Sequence, residues 1–296
     1  MGLWNVNTQA QLRVMSYNVE NFFDNRHDSL HNDLEWTTQG ARRWSYTRFQ
    51  HKALNIAQVI ANVGEWDTVG IIGLCEVENE RCCKTLCYML RRYHYAYIHY
   101  ESEDERGIDV ALLYDSLQFK PYLSQPLHVD LGEDKTRDIL YVAGVCTNGD
   151  TLHVMQCHLP SMLGGKIASD WKRKRAKQVI QTCVDSILIS QPHARIVVMG
   201  DMNSEPQDDI RGLKNRMIAL QKRHEGSHRW QGVWSCLDQF YVSEAIDSVA
   251  RVYIYKQDFL LEEDRKYLDK KPFRTFYGYK YRFNGYSDHL PIVLEL

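Results

Sequence analysis

Short apolar runs, each closed by a polar group, recur along the chain between stretches of helical periodicity. Arg13-Val14-Met15-Ser16-Tyr17-Asn18 reads as a first strand. After a polar, aromatic loop to about Tyr46, residues Phe49, Leu54, Ile56, Ala57, Ile60, Ala61 and Val63 recur at helical spacing, and Gly64 is a natural stop. Thr68 to Cys75 is β-branched and apolar, a buried strand that delivers Glu76. Arg81 to Tyr93 continues as a second helix by pattern, and Tyr95–Tyr100 and Ile108–Tyr114 read as strands around the acidic loop Glu101-Ser102-Glu103-Asp104-Glu105.

Ile139–Cys146 and Thr151–Leu159 flank Asn148-Gly149, a hairpin signal because both residues tolerate positive φ. A long helix is expected over Ser169–Ile189. Arg195–Met199 is then a buried strand, followed by late strands at Leu237–Val242, Val249–Tyr255 and Pro291–Leu294. Helices interleaved with hairpin-paired strands predict a mixed-sheet α/β sandwich rather than a purely parallel sheet. No repeat, low-complexity tract or linker interrupts the pattern, so one domain over 1–296 is expected.

The composition, 44% hydrophobic and 25% charged, is that of a globular protein. A formal charge of −2 gives no global pull toward nucleic acid or anionic membrane, so any polyanion site must be a local patch. Eight cysteines are too sparse for a disulfide scaffold, and Cys82, Cys83 and Cys87 lack the separated pairs that zinc wants. No apolar run approaches the ~20 residues of a membrane span. Met1–Val14 lacks the basic start and apolar stretch of a signal peptide. The expectation is a cytoplasmic monomer, or an exported one if a leader has been removed.

Polar groups at the rim of a core are costly to desolvate unless they bind something. Glu76, between Cys75 and Val77, needs a cation or a proton, and Mg²⁺ accepts one or two carboxylates together with waters and a substrate phosphate. Asp201 and Asn203 share the Gly-led turn Gly200-Asp201-Met202-Asn203, which offers a base and an amide to one ligand. The plain alternative there is an Asx-turn closing the strand. Asp288 and His289 are adjacent on extended chain, so their side chains point opposite ways and each needs another partner. Asp238 is the candidate for the imidazole, fixing its tautomer and keeping it basic. His158 shares a strand face with Leu152, Val154 and Gln156.

Together these clusters resemble the endonuclease/exonuclease/phosphatase superfamily, whose members include deoxyribonuclease I, abasic-site endonucleases, neutral sphingomyelinases and inositol polyphosphate 5-phosphatases. Met15-Ser16-Tyr17-Asn18-Val19-Glu20-Asn21 is similar to the opening motif, and Leu74-Cys75-Glu76-Val77 to the segment with the metal glutamate. Gly-Asp-Met-Asn at 200–203 and Ser287-Asp288-His289 are similar to the two later motifs. The resemblance implies a four-layer α/β sandwich of the deoxyribonuclease I type, with two mixed sheets face to face and helices outside. It implies metal residues Glu76, Asn18 and Asp288 holding Mg²⁺, with Mn²⁺ as a substitute. Catalytic roles would fall to His289, Asp201, His158, Asp238 and Asn203, and phosphate contacts to Asn203, Arg106 and Asn18.

His158 matches the second histidine of the deoxyribonuclease I, sphingomyelinase and 5-phosphatase branches, where it would donate to the phosphate or protonate the leaving alkoxide. The tyrosine typical of the abasic-site branch has no counterpart near Arg106-Gly107-Ile108-Asp109, which argues against abasic-site repair. That stretch, with Phe22-Phe23-Asp24 and Tyr286–Pro291, is similar to bacterial secreted or periplasmic members.

The expected activity is metal-dependent hydrolysis of a phosphodiester by water attack on phosphorus, with nucleic acid a possible partner. The alternative is a small-molecule or lipid-headgroup phosphate. Five cations within Lys172-Arg173-Lys174-Arg175-Ala176-Lys177 could grip phosphates or simply form a solvated helix face. For the alternative, Trp36, Trp44, Phe273, Phe276, Tyr277 and Tyr279 could wall a pocket.

Overall fold

The computed structural model describes residues 12–162 and 165–296. In chain order the principal elements are β1 (Arg13–Phe22), α1 (Tyr46–Gly64), β2 (Ile71–Val77), α2 (Glu80–Met89), β3 (Tyr95–His99) and β4 (Asp109–Asp115). They continue with β5 (Phe119–Leu127), β6 (Ile139–Cys146), β7 (Thr151–His158), α3 (Lys166–Ser190) and β8 (Arg195–Asp201). The last are β9 (Leu213–Asn215), β10 (Asp238–Ser243), β11 (Arg251–Ile254) and β12 (Ile292–Glu295).

These strands form two six-stranded sheets, ordered β11-β12-β1-β2-β4-β3 and β5-β6-β7-β8-β10-β9. Each is mixed: β1 runs parallel to β2 and β7 parallel to β8, while β12, β4, β6 and β10 pair antiparallel beside them. Three short two-stranded hairpins decorate the frame.

The layers follow from strand alternation. On the inner face of the first sheet, Val14, Ile71, Val110 and Ile292 meet Leu140, Val154, Val197 and Phe240 of the second. The outer face of the first sheet, with Met15, Ile72 and Leu113, is covered by α1 and α2 through Phe49, Ile60 and Leu86. Met155 and Val198 on the outer face of the second are covered by Ile180 and Val184 of α3. The result is the helix–sheet–sheet–helix sandwich expected from the sequence. Ser45 and Asn79 start α1 and α2 by accepting hydrogen bonds from the amides of Arg48 and Cys82, which satisfies free helix donors.

The aromatic loop before α1 departs from expectation. Trp36 stacks on Phe23, and Trp44 and Phe276 pack around it, all three buried in the outer core. Rings placed there serve packing, not a pocket wall. Tyr277 and Tyr279 stay exposed.

Candidate active site

The second sheet presents its polar groups by plain alternation. Leu152 and Val154 face the inner core, so Gln156 and His158 do too; Val197 and Met199 carry Asp201 with them, and Phe240 and Val242 carry Asp238. The register then sets the three side by side, since His158 pairs with Asp201 across β7 and β8, and Asp238 with Asp201 across β10 and β8. Gly200 is required here: its φ is +138°, and a Cβ would lie 1.9 Å from the Cys157 carbonyl oxygen.

The first sheet contributes differently. Asn18 follows Val14 and Ser16 onto the inner face. Glu76 follows Cys75, and strict alternation would send it outward to the helices. Instead a register shift between Cys75 and Val77, with φ +66° at Glu76, brings its carboxylate within hydrogen-bond reach of Asn18. A second shift between Asn18 and Phe22 carries Glu20 and Asn21 through positive φ, and the Asn21 amide donates to Glu76 at 2.7 Å. With Asn203 at +47°, four positive-φ side-chain-bearing residues surround one spot.

Contacts link the two rims. Asn18 Nδ2 donates to Asp201 Oδ2 at 3.1 Å and, at 3.4 Å, to Glu76 Oε1. Asp201 Oδ2 lies 3.6 Å from His158 Nε2 and 3.8 Å from His289 Nε2, so one carboxylate oxygen stands between two imidazoles. His289 Nδ1 is 2.7 Å from Asp238 Oδ2, which also accepts from the Ser227 hydroxyl. Asp201 Oδ1 accepts the Asn203 backbone amide, the Asx-turn that was the plain alternative for this cluster. The Asn203 side-chain amide is spent on the Leu159 carbonyl.

The electrostatics separate the two histidines. Burial, with the charges of Arg137, Arg106 and His289, holds His158 well below the ordinary imidazole range. Burial also opposes charge on His289, but Asp238, Asp201 and Asp288 outweigh it and raise that imidazole well above its usual value. Burial pushes the Asp201 carboxyl up to about 6 despite the neighbouring His289. The surroundings therefore favour charge on His289 and oppose it on His158, on either side of Asp201.

Asp288 stands apart from Asp238 and faces Arg274 at 3.1 Å. Arg274 also holds Glu20 at 3.1 Å, and the buried Lys52 donates to Thr275 Oγ1 and the Tyr286 carbonyl. Sequence reasoning did not single out Glu20, Lys52 or Arg274. Lys52 left one signal, three residues after Phe49 and four before Ile56 on the apolar side of α1. His228 was also missed; its ring lies 4.8 Å from that of His289, and burial lowers it to about 4.

Arg106 is half exposed and sits beside Asp104. The fully buried neighbour is Arg137, which bonds the His158 and Leu159 carbonyls and Asp104. The basic run on α3 resolves into local pairs: Lys172 with Asp134, Lys174 with Asp170 and Lys177 with Asp209, while Arg173 is buried against the Pro160 carbonyl. Beyond His228 and Asp288 opens a cavity of about 590 Å³ with Trp230, Tyr267, Tyr277, Lys266, Lys271 and Arg274 on its walls.

Carboxylates, amides and paired imidazoles at one end of a four-layer α/β sandwich define a phosphate-ester hydrolase of the deoxyribonuclease I-like class. The chain belongs to the Endonuclease/Exonuclease/phosphatase family, whose model matches residues 13–296. Members of this family generally use divalent metals. No curated protein sequence matches. Among solved structures, truncated TDP2 of Caenorhabditis elegans superposes with a TM-score of 0.62 at 17% identity, covering 97% of both chains. The human Nocturnin catalytic domain gives 0.60 at 16% identity, over 96% of this chain and 93% of that one. A mannosyl-6-phosphatase of Bacteroides thetaiotaomicron gives 0.59 at 16%, over 96% and 99%. Among the described residues no helix is long and apolar enough to cross a membrane.

Proposed function

We propose that this protein is a Mg²⁺-dependent phosphoesterase in which water attacks phosphorus, and that its substrate is compact, a nucleotide-sized phosphoester. The observation that carries the chemistry is Asp201 Oδ2 between His158 and His289, joined through Asn18 to Glu76. Hard oxygen donors suit Mg²⁺. Glu76, Asp201 and Asp288 supply them, and the buried Asp238 Oδ1 has no hydrogen-bond partner. Glu76 would hold the ion, Asn18 would join it by turning its amide oxygen toward the site, and Asp288 would join it by leaving Arg274. When bound, the ion would supply positive charge against the phosphoryl group.

The side chains divide the remaining work. Asp201 orients the attacking water and takes its proton. His289, kept charged by Asp238, stabilises the charge that develops on the phosphoryl group. His158 is neutral and donates one hydrogen bond to a phosphate oxygen, a role that needs no proton transfer. Asn203, tied to Leu159, holds the turn that aims Asp201, and Arg106 reaches the phosphate only from the exposed loop.

The compact-substrate reading rests on the cavity beside His228, whose aromatic and cationic walls suit a ring bearing a second negative charge. The ion-paired α3 run gives no support to a DNA track. The test is a panel of dinucleotides, sugar phosphates, inositol phosphates, sphingomyelin and plasmid DNA with Mg²⁺ or EDTA. Turnover undiminished in EDTA would overturn the metal chemistry. Plasmid cleaved faster per bond than dinucleotides would overturn the compact substrate.

A further inference from the structure

A second group of ligating side chains lies on the other side of the first sheet. His99 ends β3 and pairs with Ala111 of β4, whose side chain belongs to the helix-facing core; Asp109, two residues before Ala111, shares that face. One ligand atom from each of His99, Glu101 and Asp109 lies within 4.8 Å of the others. The His99 side chain is only 3% exposed, and its Nε2 is buried with no hydrogen-bond partner. That nitrogen faces Asp109 Oδ2 at 3.8 Å, and the other ring nitrogen faces Glu101 Oε1 at 3.8 Å, both beyond hydrogen-bond range.

Two bonds of about 2.0–2.1 Å to a common ion span about 3.4 Å at a tetrahedral angle, so ligand atoms up to 4.8 Å apart close on one ion at Nε2 when the exposed Glu101 side chain swings inward by roughly 1.4 Å. The Ser102 hydroxyl donates to Asp109 Oδ1 and leaves Oδ2 directed at His99. Glu101, largely exposed, provides an entry path. On the same loop, Gly107 lies directly under the ring of His31, whose Nδ1 is likewise buried without a partner.

We propose that His99, Glu101 and Asp109 form a divalent-cation site of the zinc or manganese type that fastens the loop 100–108 to β4. One imidazole and two carboxylates balance a doubly charged ion and match the borderline preferences of those metals. The site differs from the Asp201 centre in face, strands and ligands, and the proposal does not depend on the chemistry assigned there. Its consequence is positional, because the fastened loop carries Arg106 and the Asp104 that anchors Arg137 behind His158.

The test is zinc uptake by competition with a chromophoric chelator, using Glu76→Gln/His289→Ala protein so that the catalytic cluster does not contribute. One zinc per chain is expected in that background, with affinity weakened about tenfold or more by adding Glu101→Gln or His99→Gln. Glu101 is exposed, so its variant keeps the fold even if the His99 variant does not. Zinc should also slow proteolytic cleavage within 100–108. Absence of uptake in the Glu76→Gln/His289→Ala protein, or equal affinity with and without Glu101→Gln, would overturn the site.

Discussion

On the second sheet, His158, Asp201 and Asp238 reach the rim as the last or first residues of three neighbouring strands, on the face that their apolar predecessors already occupy. On the first sheet Asn18 keeps the inner face by the same alternation, at the point in β1 where the pairing with β2 shifts. Glu76 is on the wrong parity and is brought to the rim by a register shift and a left-handed backbone. Regular pairing places groups in a row on one face at no conformational cost, but it cannot bring a residue of the opposite parity, such as Glu76, onto that face. The bulged rim does so, and each strained residue costs of order 1–3 kcal/mol.

Several substitutions separate the two rims. The largest effect is expected at the regular rim: Asp201→Asn should lower kcat by about 10²–10⁴, the range for losing a general base, with circular dichroism unchanged. A residual rate above a tenth of wild type would remove Asp201 as the base. Next, Glu76→Gly should lose as much activity as Glu76→Gln, yet unfold at higher temperature than Glu76→Gln, because glycine accepts φ +66° freely. A gain of about 1 kcal/mol corresponds to roughly 2 °C at this size. Equal melting temperatures would mean that the bulge carries no strain.

A smaller loss, on the order of tenfold, is expected for His158→Gln, equal for activated and natural esters because the neutral ring only donates a hydrogen bond. A loss confined to poor leaving groups would restore the general-acid role read from the sequence. The pH dependence is the finest probe. Asp201 acts only when ionised, and its carboxyl is raised to about 6, so the metal-saturated rate should climb as pH rises through that region. His289 is raised instead, so its charge persists at neutral pH and is lost only on alkaline titration, while its Nδ1–H contact with Asp238 remains. A rate that falls as pH rises from 5 to 7 would contradict the assignment.

What could be read from the chain were features that repeat locally. Alternation in Leu152–His158 and Arg195–Asp201, the Asn148-Gly149 turn and the apolar stripe of α1 depend on neighbours a few residues away, so the mixed-sheet sandwich and the face His158 shares with Leu152 and Val154 were legible, while the four layers followed from the family resemblance. So was the need of His289 for a partner other than Asp288. The direction of Glu76 was not, since alternation alone points it at the helices and only pairing with β4 creates the shift. Arg274 meets Glu20, and Lys52 meets the Tyr286 carbonyl, across more than two hundred residues. The cations of α3 looked available until folding supplied Asp134 and Asp209. Side-chain periodicity is a property of one strand or helix. Strain, ion pairing and the shape of a cavity are set by which elements meet, and those contacts exist only in the folded chain.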